Sequence, residues 1–196
     1  MSLAGPLRAL AALIAAALLS GCILTTDRYL LDGEAVPIAD GDIVATGYDE
    51  ADGAFVRAPE PPLTYEHNPD HTYIAGYNGD LGAQFIPYDG GATYIIALVG
   101  SGNYYGIARI RDGLMEVRLE LTGDPVAEAA AAGRSIPDGI ARIRTGLRVP
   151  DRDSLGTMLE LIENATLATA INLVWIGDGE APARLIPDGD WYRPTD

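Results

Sequence analysis

Apolar positions along this chain recur mostly with period two, in short runs divided by Gly, Asp and Asn clusters. That pattern predicts half-buried β-strands joined by tight turns. The first pair is Ile43 to Tyr48 and Ala54 to Arg57, turning over 49–53. Pro59, Pro61 and Pro62 remove backbone donors and mark a loop. Thr72 to Tyr77 is followed by Asn78-Gly79, a hairpin signal, and by Ala83 to Tyr88. Asp89-Gly90-Gly91 leads into Ala92 to Val99, the cluster Gly100 to Asn103 into Tyr104 to Arg111, and Asp112-Gly113 into Leu114 to Leu121.

The last of these hairpins fixes its own register. With Asp112-Gly113 as a two-residue turn, Arg111 faces Leu114, Ile110 faces Met115, Arg109 faces Glu116 and Ala108 faces Val117. One face then carries Tyr104, Ala108, Ile110, Met115, Val117, Leu119 and Leu121. The other sets Arg109 opposite Glu116, an opposite-charge cross-strand pair. A one-residue slip would destroy this sorting. One strand earlier, Ile95, Ala97 and Val99 are expected on the apolar face and Tyr94, Ile96 and Leu98 on the other. A strand apolar on both faces is covered twice, and helices are the natural second cover.

The period changes to 3.6 in two places. Asp124 is a good N-cap with Pro125 at the first helical position, a body over Val126 to Ala132 and Gly133 as the stop. Asp153 or Ser154 is expected to cap a second helix, whose stripe is Leu155, Met158, Leu159 and Ile162 and whose end is Asn164. Between the helices, Ile140 to Val149 alternates Ile and Arg as an edge strand would. Thr169 to Ile176 reads as a buried strand with Ala183 to Ile186 as its hairpin partner. The polar tail from Asp190 is pinned by Trp191 and Tyr192. The expected fold is mainly β (α+β): an antiparallel β-meander with two short helices packed on one face or end. Ile-Pro followed by Asp-Gly recurs at 136–139 and 186–189, and more loosely at 86–90, as reused turn chemistry explains.

The N-terminus follows a different logic. Arg8 is the only charge before an apolar run from Ala9 to Leu19, and small residues follow at Ser20 and Gly21. This is the layout of an export signal, and eleven apolar residues are too few to span the ~30 Å of bilayer hydrocarbon as a helix. Leu19-Ser20-Gly21-Cys22 resembles the lipobox of bacterial lipoproteins. The resemblance implies removal of residues 1–21 and a diacylglyceryl, palmitate-bearing Cys22. Two or three acyl chains make a stable anchor where one is marginal. Residues 22–27 are then expected as a short lipidated tether and residues 28–196 as one globular β-rich domain. Ile23 rather than Asp follows the cysteine, so the resemblance implies a cell-envelope protein sorted to the outer membrane and facing the periplasm.

Composition narrows the chemistry. Cys22 is the only cysteine, so with its thiol acylated no disulfide, thiolate ligand or thiolate nucleophile remains. All 13 basic residues are Arg; without Arg8, 12 face 28 acidic residues, a net charge of about −16. That field repels nucleic acid, and the absence of Lys excludes Schiff-base and P-loop chemistry. Gly100-Ser101-Gly102-Asn103-Tyr104-Tyr105-Gly106 superficially resembles a dinucleotide-binding loop, but a strand rather than a helix follows it. No cofactor is expected.

Candidate residues are few. His67 and His71, the only histidines, lie four apart among carboxylates, a spacing able to offer two nitrogen ligands to a divalent metal. Pro69 between them rules out one helix face. Ser101, Ser135 and Ser154 stand in no nucleophile-elbow context. Asp40/Asp42, Asp151/Asp153 and Asp188/Asp190 form Asp-x-Asp pairs better suited to turns and caps than to calcium. Tyr73, Tyr77, Tyr94, Tyr104 and Tyr105 fall on predicted strands, where tyrosine suits half-buried positions or builds an exposed binding surface. The reading these features favour is a lipid-anchored, non-enzymatic binding or assembly accessory module with an envelope protein or glycan as partner. The alternatives are an envelope hydrolase using acidic residues and a metal-binding lipoprotein using His67 and His71.

Overall fold

A computed structural model describes residues 22–75, 81–100, 102–144 and 146–195. The strands are β1 (Cys22–Thr26), β2 (Ile43–Ala51), β3 (Ala54–Arg57), β4 (Leu63–His67), β5 (Tyr73–Ala75), β6 (Leu81–Pro87), β7 (Thr93–Gly100) and β8 (Asn103–Arg111). Then come β9 (Leu114–Arg118), β10 (Glu120–Leu121), β11 (Ala141–Ile143), β12 (Gly146–Arg148), β13 (Asn172–Trp175), β14 (Arg184–Asp188) and β15 (Trp191–Thr195). Helix α1 is Pro125–Ala131 and helix α2 is Arg152–Glu163. The protein is thus mainly β, an antiparallel meander with two short helices.

The meander closes on itself. Pairing runs β8-β7-β6-β5-β4-β2-β13-β9 and returns from β9 to β8, every step antiparallel. Inward positions alternate with outward ones on each strand of this barrel. The interior holds Ile43, Ala45, Tyr65, Tyr73, Phe85, Ile96, Leu98, Ala108, Met115, Val117 and Val174. Three of these are aromatic, as a small barrel filled by side chains requires.

The outer wall is covered on two sides. Leu155, Met158, Leu159 and Ile162 of α2 pack with Ala129 of α1 onto Leu24, Ile86, Ala97, Tyr105 and Ile107. Both helices therefore join one cluster on one face. On the other side, β3, β14 and β15 extend the far end of β2 into an arm. Leu173, Leu185 and Phe55 are buried there with Trp175, Trp191 and Tyr192 packed around them.

The β8–β9 register is the expected one at all four positions. Arg109 does face Glu116, yet the two charges are not paired with each other. The Arg109 guanidinium reaches Glu163 at the end of α2, 2.8 Å away. Glu116 accepts from Arg118 Nε at 2.7 Å. Both side chains lie on the outer wall, where helix and arm draw them apart. Leu121 also leaves the expected face: the ladder breaks after Arg118, and Leu121 joins the helix-side cluster.

Several expectations need correction. The faces of β7 are reversed: Tyr94, Ile96 and Leu98 point into the barrel, whereas Ile95 and Ala97 meet the helix side. Val99 pairs with Asn103 and Leu98 with Tyr104, so the connection is one residue shorter than the Gly100 to Asn103 cluster suggests. One residue fewer exchanges every inward side chain for an outward one. Asp151 rather than Asp153 or Ser154 caps α2, accepting from Ser154 N–H at 2.8 Å. Asp124 caps α1 as expected, with Pro125 at its start.

Ile140 to Val149 forms the hairpin β11–β12 rather than one strand. The Ala183 to Ile186 segment, within β14, pairs with β3 and β15 and not with the preceding strand. The tail is ordered as β15, with Trp191 and Tyr192 packed as anticipated. Asn78-Gly79 and Tyr77 lie outside the described residues.

The expected tether is instead a strand. Cys22 to Thr26 is β1, joined to β8, β10 and β12, with Ile23 and Leu24 buried. Ile23 and Leu24 continue the apolarity of the leader in sequence, but in the fold they are wall residues.

Candidate functional site

Sequence reasoning singled out two places with distinctive chemistry, the histidine pair and Cys22. His67 ends β4 and His71 stands in the turn to β5. His67 shares the inward parity of Leu63 and Tyr65, so its ring lies over the barrel interior and stacks on Tyr73 at a centroid distance of 4.8 Å. The turn is held by Asn68 and Thr72, whose backbones are bonded, and by Asp70 Oδ1 accepting from Thr72 N–H at 3.1 Å. His71 sits at φ 61°, a conformation that costs a non-glycine residue. It brings the two rings together, with His67 Nε2 3.2 Å from His71 Nδ1. One imidazole must donate and the other accept there, which requires at least one to be neutral.

A strap from the preceding loop closes this mouth. Val36 N–H donates to Phe85 O, and both Ile38 and Ala39 N–H donate to Tyr73 Oη. Asp42 Oδ1 accepts from His67 N–H at 2.8 Å, so Asp42 is committed to the loop. Behind the strap, Gln84 Nε2 donates to Thr72 Oγ1, and Tyr29 Oη donates to Gln84 Oε1. Burial, then the neighbouring Tyr105, Asp32, Glu34 and Asp70, raise the Tyr29 hydroxyl far above its ordinary value. The mouth is a hydrogen-bonded closure made of neutral groups.

As a metal site it is incomplete. Among the described residues no group of three His, Cys, Asp or Glu is arranged to hold an ion. A structural zinc takes four protein ligands and a catalytic one three, and here two nitrogens already bond to each other. Titrating Zn²⁺ or Cu²⁺ into the purified protein is expected to give no saturable heat that His67→Ala removes. A tight, one-to-one binding isotherm abolished by that substitution would show that the turn rearranges to recruit further ligands.

The remaining candidates are absorbed by structure. Asp151 is a helix cap, its carboxyl lowered chiefly by the Ser154 backbone hydrogen bond. Asp188 lies 3.4 Å from Arg193 across the β14–β15 hairpin. Tyr73 and Tyr105 are fully buried and Tyr94 and Tyr104 half-buried, so no exposed tyrosine face forms from them. Ser154 is buried at the start of α2 and Ser135 is an exposed loop residue; Ser101 lies outside the described residues. The glycine cluster Gly100 to Gly106 joins β7 to β8 and opens no helix. Glycosidase chemistry needs two carboxyl groups flanking one bond, and no described cavity sets two of these aspartates face to face.

One buried ionic feature escaped the sequence reading. Glu116 is only 2% exposed, with Arg118 beside it and Tyr192 of the arm hydrogen-bonded over it. The signal was present as Glu-x-Arg on one face of a strand, but only the arm's position shows that it is buried.

The barrel also has the opposite polarity to a membrane pore. Its interior is apolar and filled, whereas a membrane barrel faces lipid with apolar residues and water with polar ones. Comparison with family models, with curated proteins and with solved structures gave no match.

Proposed function

We propose that this is a lipid-anchored protein of the bacterial cell envelope, whose β-barrel domain acts as a non-enzymatic binding or assembly accessory module. The observation that carries the reading is the lipobox Leu19-Ser20-Gly21-Cys22 at the end of an apolar run. The first strand begins at Cys22, so cleavage before that residue removes nothing from the described fold. A filled barrel with a sealed histidine mouth supports a module that works through its surface. The absence of Asp after Cys22 supports sorting to the outer membrane, facing the periplasm.

The reading is tested by metabolic labelling with an alkyne fatty acid in a host that processes lipoproteins. The wild-type chain is expected to take up label and fractionate with membranes, and Cys22→Ala to lose both. Label persisting in Cys22→Ala, or absent from the wild type, would overturn the anchor. Crosslinking in the native envelope would then identify the partner.

A further inference from the structure

The register of β1 places one surface feature beside the anchor. Gly146 of β12 lies alongside Ile23, and Ile143 of β11 lies across from Gly146. The β11–β12 hairpin tip therefore stands level with Cys22 on the neighbouring strand, and adjacent strands are only about 4.8 Å apart. In a chain this acidic, the segment between Asp138 and Asp151 has no carboxylate and carries Arg142, Arg144 and Arg148.

Arg148 faces Asp27 at 3.7 Å, whereas Arg142 and Arg144 flank the tip and are exposed. Between them Ile143 is 36% exposed, one of the few large apolar side chains left in water. Another, Val126, is 59% exposed at the start of α1, five residues after Leu121, the register partner of Cys22.

We infer that the β11–β12 hairpin is a membrane-contact element. Ile143 enters the headgroup region and Arg142 and Arg144 meet anionic phospholipid phosphates, orienting the barrel on the bilayer that holds Cys22. The inference rests on the lipid-anchor reading. Charge complementarity supports it: the rest of the acidic surface is repelled by anionic lipid, and cationic side chains close to the anchor are attracted. Because β1 is a strand and not a tether, little chain intervenes between lipid and sheet, and the tip cannot lie far from the headgroups.

Acylation leaves no free thiol, so an introduced cysteine is the only site for a nitroxide label. Lipidated full-length Ile143→Cys and Val44→Cys, labelled and placed in phosphatidylglycerol-containing vesicles, are compared by power saturation. Val44 is 53% exposed on β2, three strands round the ring from β8. The label at 143 is expected to be several-fold less accessible to a water-soluble nickel reagent than the label at 44, and more accessible to oxygen. Adding Arg144→Glu should remove much of that protection.

Equal accessibility at 143 and 44, while the protein floats with vesicles, would overturn the hairpin contact alone. A chain that fails to float and takes up label at Cys22 overturns the anchor, and the contact with it. Protection that appears only as protein density rises at fixed lipid would mean that a second copy covers the hairpin, which also overturns the proposal.

Discussion

Replacing Arg118 by Met is expected to cost about 3–5 kcal/mol of folding stability, the range for removing one partner of a buried ion pair. Glu116 is 2% exposed and Arg118 Nε donates to its Oε1 at 2.7 Å, with 15% of the arginine side chain exposed. The substitution keeps the apolar stem but leaves a carboxylate beneath the arm without its cation. For a domain of this size each kcal/mol shifts the melting temperature by roughly 2–4 °C. Urea unfolding at neutral pH measures the effect directly.

The double variant Glu116→Leu, Arg118→Met should recover most of the loss, because the cost lies in the stranded charge and not in the missing attraction. A single-variant cost below about 1 kcal/mol, the value for exposed pairs, would mean that water reaches Glu116 and that the arm opens.

Glu116 also illustrates what one sequence conveys. Local pairing was legible: the Asp112-Gly113 turn fixed four cross-strand partners, and Asp124-Pro125 marked the start of α1. Each of these depends on residues close along the chain. The closure of the barrel depends on β2 meeting β13 and β13 meeting β9, contacts between segments far apart in sequence. Nothing local encodes them.

Strand β4 was hidden for a simpler reason. Leu63, Tyr65 and His67 alternate with Thr64 and Glu66, but three prolines precede the run and Asn68-Pro69 follows it, so its five residues read as loop. Strand β1 was masked by its position after the leader, where buried wall residues and export-signal apolarity look alike. The β7 faces failed on a single residue of loop length.

The candidate sites divide in the same way. That His67 and His71 are neighbours could be suspected from their spacing. That they bond to each other over a tyrosine, with Asp42 spent on a backbone N–H, follows from β4 and the strap, neither of which was visible. The lipobox was legible because the enzymes that read it recognise a short linear segment and not a fold.

Raising the pH above 10 is expected to unfold the domain cooperatively. Burial raises the hydroxyls of Tyr48 and Tyr192 to about 12 from an ordinary value of 10.0, and it raises Tyr65 and Tyr105 as well. An acid whose folded pKa is raised contributes stability that is complete below the unfolded value of 10. That stability is lost as pH climbs through the folded value near 12.

No lysine titrates in that interval, and arginine keeps its charge there, so tyrosine alone drives the transition. Tyr48 Oη donates to Pro182 O at 2.9 Å, a bond that the phenolate cannot make. Tyr65 is the extreme case, since its buried Oη has no hydrogen-bond partner. A charge there would be buried and unpaired, so that ring ionises only when the barrel opens.

Tyrosinate absorbance and circular dichroism should therefore move together between pH 10 and about 12. Tyr65→Phe keeps the ring, removes the unpartnered hydroxyl and should shift the transition to higher pH with no loss of stability at neutral pH. Gradual ionisation ahead of any change in circular dichroism would mean that water enters the barrel, and the interior would then be a ligand cavity instead of a core.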